Sequence, residues 1–264
     1  MSVRSPMFDR YIGIDYSGAK TPSSSLSGLR LYHADHAASP VEVPPPPSPR
    51  KYWTRRGISA WLVERLSEPA RTLVGIDHGF SFPIQYFERY KLSHKWPAFL
   101  DDFYWHWPTD AEHMYVDFVR EGIYGQGAAR SGDPRWLRLT EQRARTAKSV
   151  FRFDVQGQVA KSTHAGIPWL RHLRTSCQGR VHFWPFDGWE VPDGCSVVAE
   201  VYPSLYRRNF PVEERTPDQH DAYSVTAWMW NTDREGRLSD FFHPILTPHE
   251  RTQAQIEGWI LGVL

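Results

Sequence analysis

The chain has 264 residues, a formal net charge of +1, 41% hydrophobic and 23% charged residues, 12 Trp and 21 Pro. That length and balance describe a folded chain with a substantial core; they exclude disorder throughout and binding to polyanions driven by global charge. Cys177 and Cys195 stand in neither CxxC nor zinc-ligand spacing, and no apolar run approaches ~18 residues, so a cytoplasmic chain with no membrane partner and no disulfide framework is expected.

The first predicted element is Tyr11-Ile12-Gly13-Ile14-Asp15, a short apolar run that stops on a carboxylate and then on Ser17 and Gly18; Leu73-Val74-Gly75-Ile76-Asp77 repeats it. Such runs read as strands buried on both faces, and sites in open α/β sheets form beyond the carboxyl ends of their strands. Side chains alternate along a strand, so Gly13 shares a face with Asp15 and Gly75 with Asp77. A turn and a strand over 28–33 follow the first run, then a short strand near 41–43 and the exposed connector Pro44-Pro45-Pro46-Pro47-Ser48-Pro49, which reads as extended polyproline II. Ile58, Trp61, Leu62 and Leu66 recur at helical spacing, which predicts a helix over 57–67.

Residues 82–147 break the alternation of strand and helix and read as an insertion within a single domain spanning 1–264. Trp96, Phe99, Phe103, Tyr104, Trp105 and Trp107 crowd one part of it, where they either build a satellite core or offer stacking surfaces to unpaired bases. Between Arg120 and Lys161 there are nine Arg or Lys against four Asp or Glu, which makes Arg138, Arg143 and Arg145 candidate phosphate contacts. A strand around 151–160 is expected next. Lys161, Ser162 and Thr163 then precede a helix, where a cation, hydroxyls and free backbone N–H groups suit an anion, although plain capping explains them equally well.

Val197-Val198-Ala199-Glu200-Val201 is a third apolar run carrying an acid, and a buried Glu200 needs a metal or a basic partner such as Arg207. Thr216-Pro217-Asp218-Gln219 has capping-box spacing and opens a helix, with Asp218 central on its apolar stripe and Asp221 at the edge. The helix dipole already accounts for an acid at position 218, so Asp221 is the stronger ligand candidate. Thr247-Pro248-His249-Glu250 opens a last helix, with Ile256, Trp259, Ile260 and Val263 on its buried side.

Three leading strands, a helix and a parallel strand, with an Asp on the first and fourth strands, resemble the ribonuclease H-like fold, an α/β mixed sheet flanked by helices. Gly13-Ile14-Asp15, Gly75-Ile76-Asp77-His78-Gly79-Phe80-Ser81-Phe82-Pro83, Val159-Ala160-Lys161-Ser162-Thr163, Trp184-Pro185-Phe186-Asp187-Gly188, Glu200-Val201-Tyr202-Pro203-Ser204 and His220-Asp221-Ala222 resemble a family catalogued as predicted nucleases of that fold. The resemblance implies hydrolysis of a nucleic acid, DNA or RNA, by a carboxylate cluster holding magnesium or manganese. Asp15, Asp77, Glu200 and Asp221 are its implied catalytic and metal-binding residues, with His220 or His78 available as a proton shuttle. Two other readings stay open: an ATP-dependent phosphotransferase of the actin-like kind, and a non-catalytic binding scaffold.

Overall fold

The computed structural model describes residues 6–154 and 159–264. Six strands form one mixed sheet in the order β3-β2-β1-β4-β6-β5. Strands β1 (Arg10–Asp15) and β3 (Val41–Glu42) each pair antiparallel with β2 (Arg30–Asp35), whereas β4 (Thr72–Asp77), β5 (Val181–Trp184) and β6 (Ser196–Glu200) run parallel to β1. The strand expected over 151–160 lies partly outside the described residues; 151–154 are turn and bend, and Val159 already belongs to a helix. Sequence patterning missed β5, a four-residue edge strand whose Val181, His182, Phe183 and Trp184 show no alternation.

The helices are α1 (Arg55–Ser67), α2 (Ile84–Tyr90), α3 (Trp96–His106), α4 (Val116–Arg120), α5 (Leu139–Ala144), α6 (Val159–Ser176), α7 (Pro217–Arg234), α8 (Leu238–Phe241) and α9 (Pro248–Glu257). Among the described residues, no helix is long and apolar enough to cross a membrane.

Register divides the sheet into two chemically distinct faces. Gly13 pairs with Gly75 and Asp15 with Asp77, while Ile76 pairs with Glu200. Paired residues point the same way and successive ones alternate. One face therefore carries Ile12, Ile14, Val74, Ile76 and Val198, which pack with α1, α6 and the helices of 82–147. Phe82, Trp96, Phe99, Phe103 and Trp107 belong to this same core, so the aromatic insertion extends the main core and forms no satellite.

The other face carries Tyr11, Leu73, Val197 and Ala199 and receives α7 through Val225 and Met229. Here the two glycines leave room for a helix. A Cβ on Gly13 would stand 2.4 Å from Thr226 Oγ1 and 2.7 Å from the Ala222 carbonyl oxygen, and one on Gly75 would stand 2.7 Å from Val201. Helix backbone and sheet thus meet with nothing between them. Gly13→Ala is expected to cost about 1–3 kcal/mol in chemical denaturation, because the obstacle includes backbone that no rotamer change removes.

Helix α7 is fixed at both ends. The reciprocal Thr216 and Gln219 capping bonds set its start, and Gln219 Nε2 donates to Glu42 on β3 (2.6 Å). Near its far end, the Asp233 carboxylate accepts from the Met7 and Phe8 amides and from the Tyr11 hydroxyl. Helix α9 stops earlier than expected, at Glu257, where Gly258 turns with φ +85°. Trp259, Ile260 and Val263 are buried as an irregular tail, and the Leu261 amide donates to the Glu200 carbonyl.

Candidate active site

Asp15 and Asp77 end adjacent parallel strands in register, so their backbones lie about 4.8 Å apart and their carboxylates leave the sheet side by side. The glycines two residues earlier let α7 lie close against this face, and its first turns bring Asp218 and Asp221 to the same cleft. That cleft, about 790 Å³, is also lined by Ser17, Lys161 and Tyr202.

Charge is poorly compensated there. Burial is the largest cause holding the Asp15 carboxyl well above the ordinary carboxylate range, followed by the charges of Asp77, Asp218 and Asp221. For Asp77 burial again leads, followed by Asp221 and Glu200, with Arg207 opposing. Among the described residues, no hydrogen bond reaches either carboxylate. Asp221 is also raised, mainly by burial, but Arg207 Nη1 donates to its two oxygens at 3.3 and 3.4 Å. Asp218 has no such partner among the described residues and acts more strongly on Asp15 than Asp221 does. Asp218 and Asp221 thus both line the cleft, the first from the centre of the apolar stripe and the second from its edge.

Glu200 does not join this group. Its register with Ile76 turns it to the opposite face of the sheet. There Arg138 Nη1 and Nη2 hold its two oxygens at 2.7 and 2.6 Å, and the Phe80 amide donates to it as well. The required basic partner is thus Arg138 in place of Arg207, and Arg138, only 1% exposed, is not a surface phosphate contact.

The other candidate anion contacts are dispersed. Arg143 pairs with Glu250 at 2.6 Å, and Arg145 is exposed at the end of α5, away from the cleft lining. Lys161 lines the cleft but donates to Asp117 (2.6 Å). Ser162 Oγ donates back to the Val159 carbonyl, and Thr163 Oγ1 accepts the Gly79 amide in the interior. These three residues lie within α6 and not ahead of it. A Cβ on Gly18 would stand 2.1 Å from the Lys161 carbonyl oxygen, so the loop after β1 packs directly on that turn.

His78 and His220 are each held by a backbone carbonyl. His78 Nδ1–H donates to the Gly79 carbonyl, and burial pulls its pKa down to about 4, so it is neutral near pH 7. His220 Nε2–H donates to the Arg207 carbonyl (3.1 Å), which seats the strand-to-helix connection that carries Arg207.

The donor set of the cleft is all carboxylate oxygen, which suits a hard divalent cation such as Mg²⁺ or Mn²⁺ and not a soft one. Among the described residues no three acidic, imidazole or thiol groups stand close enough to hold one ion as placed. Comparison with family models, with curated proteins and with solved structures finds no match for this chain.

Proposed function

We propose that the chain is a divalent-metal-dependent phosphodiesterase acting on nucleic acid, built on a ribonuclease H-like sheet. The observation that carries the reading is the pair Asp15 and Asp77, in register at the carboxyl edge, half-buried, and, among the described residues, without a hydrogen-bond donor or an ion-pair partner. Burying ionised carboxylates in that state is costly, and a bound cation is the direct remedy. The antiparallel β1–β3 unit followed by parallel β4 supports the fold assignment.

Asp15 and Asp77 would hold the metal, with Asp218 and Asp221 completing the oxygen donors from α7. When bound, the ion supplies a Lewis acid for phosphoryl oxygen and lowers the pKa of coordinated water. The chain's own contribution is position: strand register fixes Asp15 against Asp77, the capping bonds of α7 fix Asp218, and Arg207 holds Asp221 in place. Glu200 acts from behind the sheet by anchoring Arg138.

Isothermal titration with MnCl₂ is expected to show saturable binding that Asp15→Asn weakens by at least about tenfold. The same preparation should cleave an oligonucleotide only with Mn²⁺ or Mg²⁺ present. Absence of saturable binding in the parent chain would remove the reading.

A further inference from the structure

One wall of the carboxylate cleft is aromatic and open to solvent. Tyr115 and Phe153 line it, and Tyr115 sits at the N-cap of α4. The neighbouring exposures are 37% for Tyr115, 40% for Phe118, 65% for Ile123 and 55% for Tyr124. This face is held rigidly from beneath: Val116 and Val119 of the same helix are buried, and the Phe118 carbonyl accepts the Ile123 and Tyr124 amides, folding the following turn back onto α4. The Tyr115 and Phe118 rings stand 4.8 Å apart, tilted by 53°. Cations lie on the same cleft. Arg120 lies 5.0 Å over Phe153, Arg152 is exposed on the cleft wall beside Phe153, and Lys20 is exposed elsewhere on the lining.

We infer that this wall is a base-stacking platform and that the substrate is single-stranded nucleic acid, its unpaired bases on Tyr115 and Phe118 and its phosphates led by Arg152 and Lys20 to the carboxylates. The inference rests on the phosphodiesterase reading of the cleft. Large rings left in water forfeit their burial free energy until something flat and apolar covers them. Every base has a π-face, whereas a duplex keeps its bases stacked on one another. Rings and exposed cations on one cleft offer the two contacts a strand needs, faces for its bases and charge for its phosphates. A protein partner would cover the rings equally well, but the continuity of the rings with the carboxylate cleft favours a strand that enters it.

The test uses fluorescence anisotropy in an Asp77→Asn background, which lowers the negative charge of the cleft and slows cleavage. The probes are labelled oligothymidylate of about 12 nucleotides, a tetrahydrofuran abasic strand of the same length and charge, and a duplex. Oligothymidylate is expected to bind about tenfold or more tighter than the abasic strand, and more tightly than the duplex. Adding Tyr115→Ala with Phe118→Ala should erase that difference while leaving the abasic affinity unchanged. Equal affinity for the two strands, undetectable binding of both, a preference for duplex, or a parallel loss on both strands in the variant would each overturn the platform. So would a variant that changes only self-association in light scattering, which would assign the rings to a protein contact. Cleavage of the abasic strand by the manganese-loaded parent chain reads the carboxylates alone. Cleavage without base discrimination sinks the platform and spares the site; discrimination without cleavage does the reverse.

Discussion

Asp77→Asn is expected to reduce manganese-dependent phosphodiester cleavage by roughly 10³-fold or more while raising the unfolding temperature of the metal-free protein. The two effects have one cause. In the fold, burial and the charges of Asp221 and Glu200 push the Asp77 carboxyl well above its ordinary value of 3.8. Between that value and the raised folded one, the native state binds more protons than the unfolded chain, so stability falls as pH rises through this window. Metal-free protein should therefore be less stable at pH 7.5 than at pH 5 on account of this cleft, with Asp15 acting in the same direction. An amide at position 77 removes the charge and flattens the slope. The shift should amount to a few degrees, at ~2–4 °C per kcal/mol for a chain of this size. Saturating Mn²⁺ should flatten the slope of the parent protein in the same way, because a cation offsets the charge that protonation otherwise removes. Calorimetry at both pH values, with and without Mn²⁺, checks all of this. A lower melting temperature for Asp77→Asn in metal-free buffer at pH 7.5 would mean that the carboxylate has a protein partner.

The GID repeat was legible because its chemistry is local: an apolar run, a glycine at the right alternation, and an acid at the end. Its consequence, a helix seated on Gly13 and Gly75, was legible only in part, since sequence shows room beside a carboxylate but not what fills it. Glu200 shows the opposite limit. The acid was visible and so was its need for a partner, but which face it occupies depends on a one-residue offset in register, Ile76 opposite Glu200, that no strand reveals by itself. Arg138 was misread for a related reason. It lies in a basic stretch that resembles a surface, whereas its own role is set by residues 62 and 119 positions away. The α7 carboxylates were legible from helical geometry, which places Asp218 on the apolar stripe and Asp221 at its edge, and both line the cleft.

Arg138→Ala should be the most destabilising single substitution of a charged side chain in this protein, at about 3–5 kcal/mol. The guanidinium is buried, and every arm is engaged: Nη1 and Nη2 on Glu200, Nε on Glu141 at 2.9 Å, and Nη1 also on the Glu257 carbonyl at 3.2 Å. Glu257 in turn accepts the Leu139 and Ile84 amides, so the cluster ties α5, α9, β6 and the start of α2 together behind the carboxyl edge of the sheet. Removing the cation leaves two carboxylates buried without a neutralising charge, each with one backbone amide as donor. Glu141 is already raised to about 7 by burial with Arg138 in place, and losing Arg138 can only raise it further. The variant should accordingly recover stability as pH falls from 8 toward 5, since protonation removes charges that the fold can no longer hold. Arg138→Lys should recover only part of the loss, because an ammonium cannot reproduce the two-armed grip on Glu200. Arg138→Met combined with Glu200→Gln and Glu141→Gln should recover more of it, since the buried charges leave together. Urea denaturation of this series across pH decides the matter, and Mn²⁺ titration adds a second readout. Glu200→Gln should leave manganese affinity within about twofold of the parent while Asp77→Asn reduces it by at least about tenfold. If instead Glu200→Gln abolishes manganese binding at unchanged stability, Glu200 is a ligand and its grip on Arg138 is secondary.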